Sequence, residues 1–302
     1  MSEGDNFRGP IIDLHLHSTA SDGELAPEAV VGRAAAAGMV AIALTDHDTL
    51  GGVPAAIAAG ERAGVRVIGG CEFSVAAPWG EMHVLGYFLP PGTKLLEDFL
   101  LRCRADRERR GRAMVERLHR LGIEVDDADV MAEAEGGAVG RPHVARALVR
   151  RGLVGSVSEA FDRFLGRGRP AYVEKSLPTF AQVAELVHQV GGVVSAAHLK
   201  DRGTRSLLVH FKQLGLDAVE TRHPSHDPDV RARLTEFALD LGLYRTGGSD
   251  WHGDPVGDEA PGRLARPSLT RLGARAPSWW SRTSMRWVWW SGPGNLPARA
   301  WR

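Results

Sequence analysis

Cysteine is scarce in this 302-residue chain: Cys71 and Cys103 are the two present, and they form no Cys-x-x-Cys pair. That excludes a disulfide framework and suits a reducing compartment. Long apolar runs are missing too, since none reaches the roughly 18 residues needed to span a bilayer. The N-terminal MSEGDNFRGP has neither the basic nor the apolar region of a secretory leader, so the expected location is cytoplasmic. Net charge is also lacking. With 37 basic and 37 acidic residues, no overall field recruits nucleic acid or a membrane, and an anionic substrate must be held by local charge or by metal.

What is present is ample material for a core, with 43% hydrophobic and 25% charged residues. Short apolar runs alternate with alanine-rich helical patterns. "IIDLHLH", "MVAIALTDHD", "VRVIGGCEFSV" and "EMHVLGYFL" read as strands in the first third of the chain. "APEAVVGRAAAAG", with Pro27 near its start and Gly38 as its stop, and "GVPAAIAAGERAG" read as the helices between them. The rhythm resumes later with the strands "VVSAAHL", "LDAVETR" and "LYRTGGSD", separated by three further helical segments. Such alternation argues a parallel sheet with covering helices, either open or closed into a barrel. Nearly all the chemically active polar residues fall at the C-terminal ends of the strands, which favours the barrel.

Residues 93–170 interrupt the pattern with a long charged helix and no convincing strand. The expected organisation is therefore a barrel from 11–92 and 171–255, with 93–170 as an inserted helical cap. The tail, 256–302, holds six of the eight tryptophans without periodicity. We read it as disordered or aberrant, a frameshifted C-terminus being one origin that resequencing the coding region checks.

The strand ends carry His15, His17 and Asp22; Asp46 and His47; Glu72; His83; His198; and Asp250 with His252. Singly, each has an ordinary explanation. A His-x-His pair on a strand is more often structural, "TDHDT" could be a turn with capping aspartates, and His83 alone reads as a satisfied polar residue. Together they do not. A barrel brings its strand ends to one mouth, and six imidazoles crowded there without metal would be poorly solvated and mutually repulsive when protonated. Neutral imidazole with ionised carboxylate suits Mn, Zn or Fe. With Asp46 set aside as a turn residue, nine ligands exceed the coordination of one ion, so two or three ions sharing a carboxylate are expected, with Glu72 as the candidate bridge.

The motifs "DLHLHSTASDG", "ALTDHDT", "GCEFS", "HVLGY", "AAH" and "GGSDWHG" resemble, in order and spacing, those of the PHP (polymerase and histidinol phosphatase) superfamily, over residues 11–255. The likeness is to the branch of RNase AM and the 3′,5′-nucleoside bisphosphate phosphatases. It implies a distorted (β/α)7, TIM-like barrel with a helical insertion and a trinuclear, usually manganese-loaded site. It implies as ligands His15, His17, Asp22, His47, Glu72, His83, His198, Asp250 and His252, and the catalytic candidates are Asp22, Glu72 and His198. The chain departs from the pattern at Leu199, where the family has proline, an exchange expected to loosen that strand end, and beyond residue 260, where the family's final helix is not recognisable and closure of the barrel is in question.

Arg107 and Arg110, three apart on the inserted helix, resemble the phosphate grip of the bisphosphate phosphatases, and "GRPH" adds Arg141 and His143. With Asp22 these are the candidate substrate contacts; the other arginines of that helix read as a solvated, ion-paired face. His223 and His226 read as a polar loop, with support of the ligands from behind as the alternative, and His119, His188 and His210 as surface. The expected chemistry is attack of a metal-bridged hydroxide on a phosphate monoester of a nucleotide, or on the 5′ end of a short RNA, with no extended nucleic-acid surface and no membrane partner. The rival enzyme is a phosphatase of a small metabolite such as histidinol phosphate. The rival from another class is an inactive metal-binding regulatory module.

Overall fold

The computed structural model describes residues 11–134 and 139–253; the expectations for the tail at 256–302 lie outside them. The first half runs β1 (Ile11–Leu16), α1 (Pro27–Ala36), β2 (Met39–Leu44), α2 (Val53–Ala63), β3 (Arg66–Ala77) and β4 (Gly80–Tyr87). Helices α3 (Lys94–Arg120), α4 (Asp127–Ala134), α5 (Arg141–Arg150) and α6 (Val157–Ala160), the last continued by a π-turn over Phe161–Leu165, follow without a strand. The alternation then returns with α7 (Phe180–Gln189), β5 (Val193–Ala196), α8 (Arg205–Gln213), β6 (Ala218–Arg222), α9 (Pro228–Leu241) and β7 (Tyr244–Gly247). Among the described residues, no helix is long and apolar enough to cross a membrane.

Local chemistry accounts for the boundaries. Pro27 opens α1, where its missing N–H would be unpaired in any case, and Gly38 ends it at φ +75°, a conformation that costs glycine little. Thr179 and Gln182 cap α7 reciprocally, and the Asp227 carboxylate accepts the Val230 N–H at 2.8 Å to start α9.

The seven strands are neighbours in chain order. The expectation of a wholly parallel sheet needs correcting: β4 is antiparallel to both β3 and β5. Two residues, Pro78 and Trp79, separate β3 from β4, and so short a loop can only return the chain antiparallel. The first and last strands meet. His17 N–H donates to Trp251 O at 3.0 Å and Asp250 N–H to His15 O at 2.9 Å, so the sheet closes on itself before the chain reaches the segment that left closure in question.

The buried apolar residues form three clusters. One lies between β3–β6 and helices α7–α9, another between β1–β3 and α1–α2. The third is built from residues 114–173 and is the helical segment's own core, around Leu118, Val144 and Leu148. Leu199 is not a loose point. It is 3% exposed within the main cluster, at φ −61°, the angle a proline ring would impose.

Closure depends on a close backbone approach at Gly248, where an added Cβ would lie 2.2 Å from His15 Cβ and 2.6 Å from His15 N. Gly248→Ala should therefore destabilise the fold by about 1–3 kcal/mol, seen as a lower thermal or urea midpoint. Gly32→Ala, inside α1 with nothing within 4 Å of the new methyl, should leave the midpoint unchanged or raise it by up to about 1 kcal/mol.

Candidate metal centre

Period-two alternation puts Asp13, His15 and His17 on one face of β1 and just beyond it, and all three are buried. β3 is twelve residues long, so Glu72 in its middle sits beside the end of β2, where His47 forms an isolated bridge with it. β4 runs the other way. Its early residue His83, opposite Ser74, reaches the same rim that the parallel strands reach with their last residues. His198 follows β5, and Asp250 and His252 follow β7.

The result is one cluster around Glu72, which is 1% exposed. Its Oε2 lies 3.2 Å from His15 Nε2, 3.1 Å from His17 Nε2 and 3.4 Å from His47 Nδ1. Its Oε1 lies 2.8 Å from His83 Nδ1 and 3.0 Å from His198 Nε2. Asp250 Oδ1 is 3.2 Å from both His15 Nε2 and His17 Nε2. Asp22 faces His252 Nε2 at 3.4 Å and His47 Nε2 at 3.9 Å. All nine expected ligand residues are thus brought together. Asp46 faces elsewhere: its carboxylate accepts Ser18 N–H, Ser18 Oγ–H and Ser21 Oγ–H at 2.7–2.8 Å and pins the loop that carries Asp22.

These donors suit divalent ions better than they suit one another. His15 Nε2, both nitrogens of His17, His47 Nδ1 and Glu72 Oε2 are buried and lack a hydrogen-bond partner, because their short separations are out of line for hydrogen bonding. Each such atom left unpaired costs about 1–3 kcal/mol. His15 Nε2 and His17 Nε2 each lie 3.1–3.2 Å from Glu72 Oε2 and Asp250 Oδ1, and one ligand atom of each of these residues lies within 4.8 Å of the others, close enough to share one ion. His47, Glu72 and His83 form a second group, and His17, Asp22, His47 and His252 a third.

The electrostatics follow from this packing. Burial alone would raise the Glu72 carboxyl, but His47, His83 and His15 hold it well below the ordinary range. Asp22 and Asp250 are held low against burial in the same way, Asp22 chiefly by His47 and Asp250 chiefly by His15. Burial pushes His47 well below the usual imidazole range, favouring the neutral form a metal needs.

Several residues that matter here carry no call as ligands in the sequence pattern. Glu220, fully buried in β6, accepts from His15 Nδ1 at 3.2 Å and from His198 N–H at 2.8 Å. It fixes the tautomer that turns His15 Nε2 toward Glu72. Asp13 accepts the N–H groups of His15 and Ser249, tying the last loop to the first strand. The reading of His223 and His226 as a polar loop is corrected. His223 is 5% exposed, with Nε2 3.3 Å from Asp250 Oδ2 and its ring 5.3 Å from that of His198; His226, 1% exposed, accepts the Lys200 N–H. The sequence signal for Glu220 was a carboxylate inside the apolar strand pattern LDAVETR. Two of the expected ligands, His198 and Asp250, have φ of +26° and +54°, strained values for non-glycine residues.

On the helical segment, Arg102, Arg104, Arg109 and Arg112 are exposed as expected, whereas Arg107 and Arg110 are buried. Their role as open phosphate forks is modified by their partners. Arg107 Nε and one terminal nitrogen both lie 2.6 Å from Asp48 Oδ2, and Arg110 donates to Val173 O at 3.3–3.4 Å. Arg141 lies over the rings of Phe161 and Tyr172, at 5.7 and 5.8 Å. His143 accepts the Gly140 N–H at 2.8 Å and lies near Asp22. Lys175 joins this group by binding Glu81 and Ser74, and Glu81 in turn contacts His83.

Glu220→Gln should weaken metal binding about 10- to 100-fold, measured by titration of the metal-free protein, with little change in the unfolding midpoint. Burial and the nearby Arg146 lower His143 to about 4, so its ring should remain neutral at about pH 5.5, where an exposed histidine is mostly charged; ring-nitrogen chemical shifts read this directly.

The chain was compared with known proteins. The PHP domain model matches residues 13–213. A 5′-3′ exoribonuclease, Rnm, of Salmonella typhimurium is 34% identical, the match covering 80% of this chain and 85% of that one. A 3′,5′-nucleoside bisphosphate phosphatase of Chromobacterium violaceum is 33% identical over 87% of this chain and 97% of its own length. A crystal structure from Bifidobacterium adolescentis, presented as a candidate metal-dependent phosphoesterase, superposes with a TM-score of 0.77 at 31% identity, covering 85% of this chain and 92% of that one. The motif order, the closed seven-stranded sheet and these likenesses agree: the chain belongs to the PHP domain family.

Proposed function

We propose that this protein is a metal-dependent phosphoesterase that hydrolyses phosphate esters of nucleotides, either a nucleoside 3′,5′-bisphosphate or the 5′ end of a short RNA. The observation that carries the reading is Glu72, a buried carboxylate whose two oxygens face five imidazoles within 3.4 Å. One ion would be held by His15, His17, Glu72 and Asp250, a second by Glu72 with His47, His83 and His198, and a third by Asp22 and His252. Manganese is the metal we assign, as the family resemblance implies, with zinc or iron as substitutes that the mixed nitrogen and oxygen donors suit equally. Bound ions supply Lewis-acid charge at the phosphoryl oxygens and make water acidic enough to attack near neutral pH.

The protein's own residues supply the rest. Arg107, Arg110 and Arg141, from the segment we read as a cap over the barrel, lie near one another, and Lys175, from the segment that follows it, joins them near Glu81. Arg110 is pushed down to about 10 by burial and by Arg107, and Lys175 to about 8 for the same two reasons. Crowded, partly desolvated cations are stabilised by an arriving anion, so this group suits a second phosphate. His143, buried near Asp22 and tied to the start of α5 through the Gly140 N–H, has a positioning role beside that residue. The rival substrate, histidinol phosphate, has one phosphate and would leave these cations unused. We place the enzyme in the cytoplasm.

With manganese restored to metal-free protein, adenosine 3′,5′-bisphosphate should release phosphate with kcat/KM at least about ten-fold above that for histidinol phosphate, as one well-formed charged contact predicts. Chelation should abolish the activity and manganese should return it. Equal or reversed preference would defeat the nucleotide reading, and full metal loading without turnover of either substrate would favour a regulatory module.

A further inference from the structure

Residues 223–227 join β6 to α9, and two of them, His223 and His226, are buried without being among the nine expected ligands. The loop is tightly closed. His223 O accepts the His226 N–H at 3.0 Å and a guanidinium N–H of Arg231 at 3.2 Å, and Asp227 caps the helix that follows.

The partners of each ring fix its tautomer. The Ser225 N–H, which can only donate, lies 3.1 Å from His223 Nδ1, so that nitrogen is bare and the ring proton sits on Nε2. The Ser225 hydroxyl, at 2.7 Å, faces the same bare nitrogen. Nε2 then donates to Asp250 Oδ2 at 3.3 Å. His226 is the reverse case. Its Nε2 accepts the Lys200 N–H at 3.2 Å, so Nδ1 carries the proton and donates to Thr221 O at 3.4 Å.

These bonds land on the strained parts of the site. Backbone φ is positive at His198, Lys200 and Asp250, at +26°, +54° and +54°, a region that non-glycine residues keep only where their surroundings enforce it. Glu220 and His226 pin two alternate N–H groups of the first stretch, those of His198 and Lys200. His223 pins the second through its carboxylate. With Oδ2 so occupied, Asp250 turns Oδ1 toward His15 and His17.

A further ion is the competing use of this corner, because His15, Glu220 and His223 bring ligand-type atoms within 4.8 Å of one another. The bonds already made oppose it. His223 Nδ1 is taken by Ser225, its Nε2 holds the proton, and His15 Nδ1 is paired with Glu220 at 3.2 Å.

We infer that the loop after β6 is the brace of the metal centre, with His223 and His226 as positioning residues that hold, in opposite tautomers, the segments carrying Asp250 and His198. This rests on the metal-centre reading above. His223 keeps Asp250 a one-oxygen ligand, and His226 keeps the His198 loop where its ring meets Glu72.

Ring-nitrogen chemical shifts of the metal-free full chain test the tautomers without any substitution. His223 should be protonated at Nε2 and His226 at Nδ1, and the opposite assignment at His223 would overturn the inference. Manganese titration of the metal-free protein tests the role. His223→Phe and His226→Phe should each weaken binding about 10- to 100-fold, with the number of ions at saturation unchanged. His223→Gln, whose amide N–H replaces the Nε2 donor, should recover most of the affinity. The electron paramagnetic resonance spectrum of bound manganese should change in His223→Phe and return in His223→Gln, which a packing role would not produce. Loss of one whole equivalent of manganese in His223→Phe would make the ring a ligand, and unchanged affinity would make it mere packing. Either result overturns the inference and leaves the metal centre in place. A wild-type chain that binds no manganese would overturn both.

Discussion

A carboxylate buried at the centre of five imidazoles is the constraint around which this molecule is arranged. Glu72 could not remain ionised in that position without charge brought to both of its oxygens, and burying an uncompensated carboxylate costs several kcal/mol. The compensation comes from four segments: β1 with the residue just beyond it, the loop after β2, β4, and the residue following β5. No shorter piece of the chain could supply it. The reversed course of β4 has a purpose in this light, since it puts an early strand residue, His83, level with residues that follow the other strands.

A ring of further carboxylates holds that centre in shape. Asp13, Asp46 and Glu220 are buried: Asp13 and Asp46 accept backbone N–H groups, Asp46 two serine hydroxyls besides, and Glu220 accepts from the outer nitrogen of His15 and the His198 N–H. Strained backbone at His198 and Asp250 fits this picture, because a loop that tightly tethered can hold two ligands in conformations their residue types avoid. Gly248 lets the last loop lie directly against His15. Closure of the sheet and assembly of the site are therefore one event.

The helical segment contributes charge of the other sign. Arg107 in isolation looks like an open fork for phosphate, yet its fork holds Asp48, the residue after His47. The pairing docks α3 onto the loop that carries a ligand. It also leaves Arg110, Arg141 and Lys175 as neighbouring cations whose mutual repulsion is relieved only partly by Glu81. The positive field of the site thus comes from a few crowded groups in a chain whose overall charge is balanced.

The sequence by itself determined the element order, the alternating architecture and the nine residues that gather at the rim, because strand periodicity and strand-end position are local properties of the chain. It also placed Pro27, Gly38 and the long α3 close to where they are found. Only the tertiary structure decided the rest. It made β4 antiparallel, through a turn of two residues, and it turned Glu220 and His223 from ordinary strand and loop residues into partners of His15 and Asp250. It engaged Arg107 with Asp48, 59 positions earlier in the chain. The physical reason is the same each time. Whether a polar side chain is a ligand, a support or a neutralised charge depends on which distant atoms burial forces against it, and that pairing is written in no local pattern.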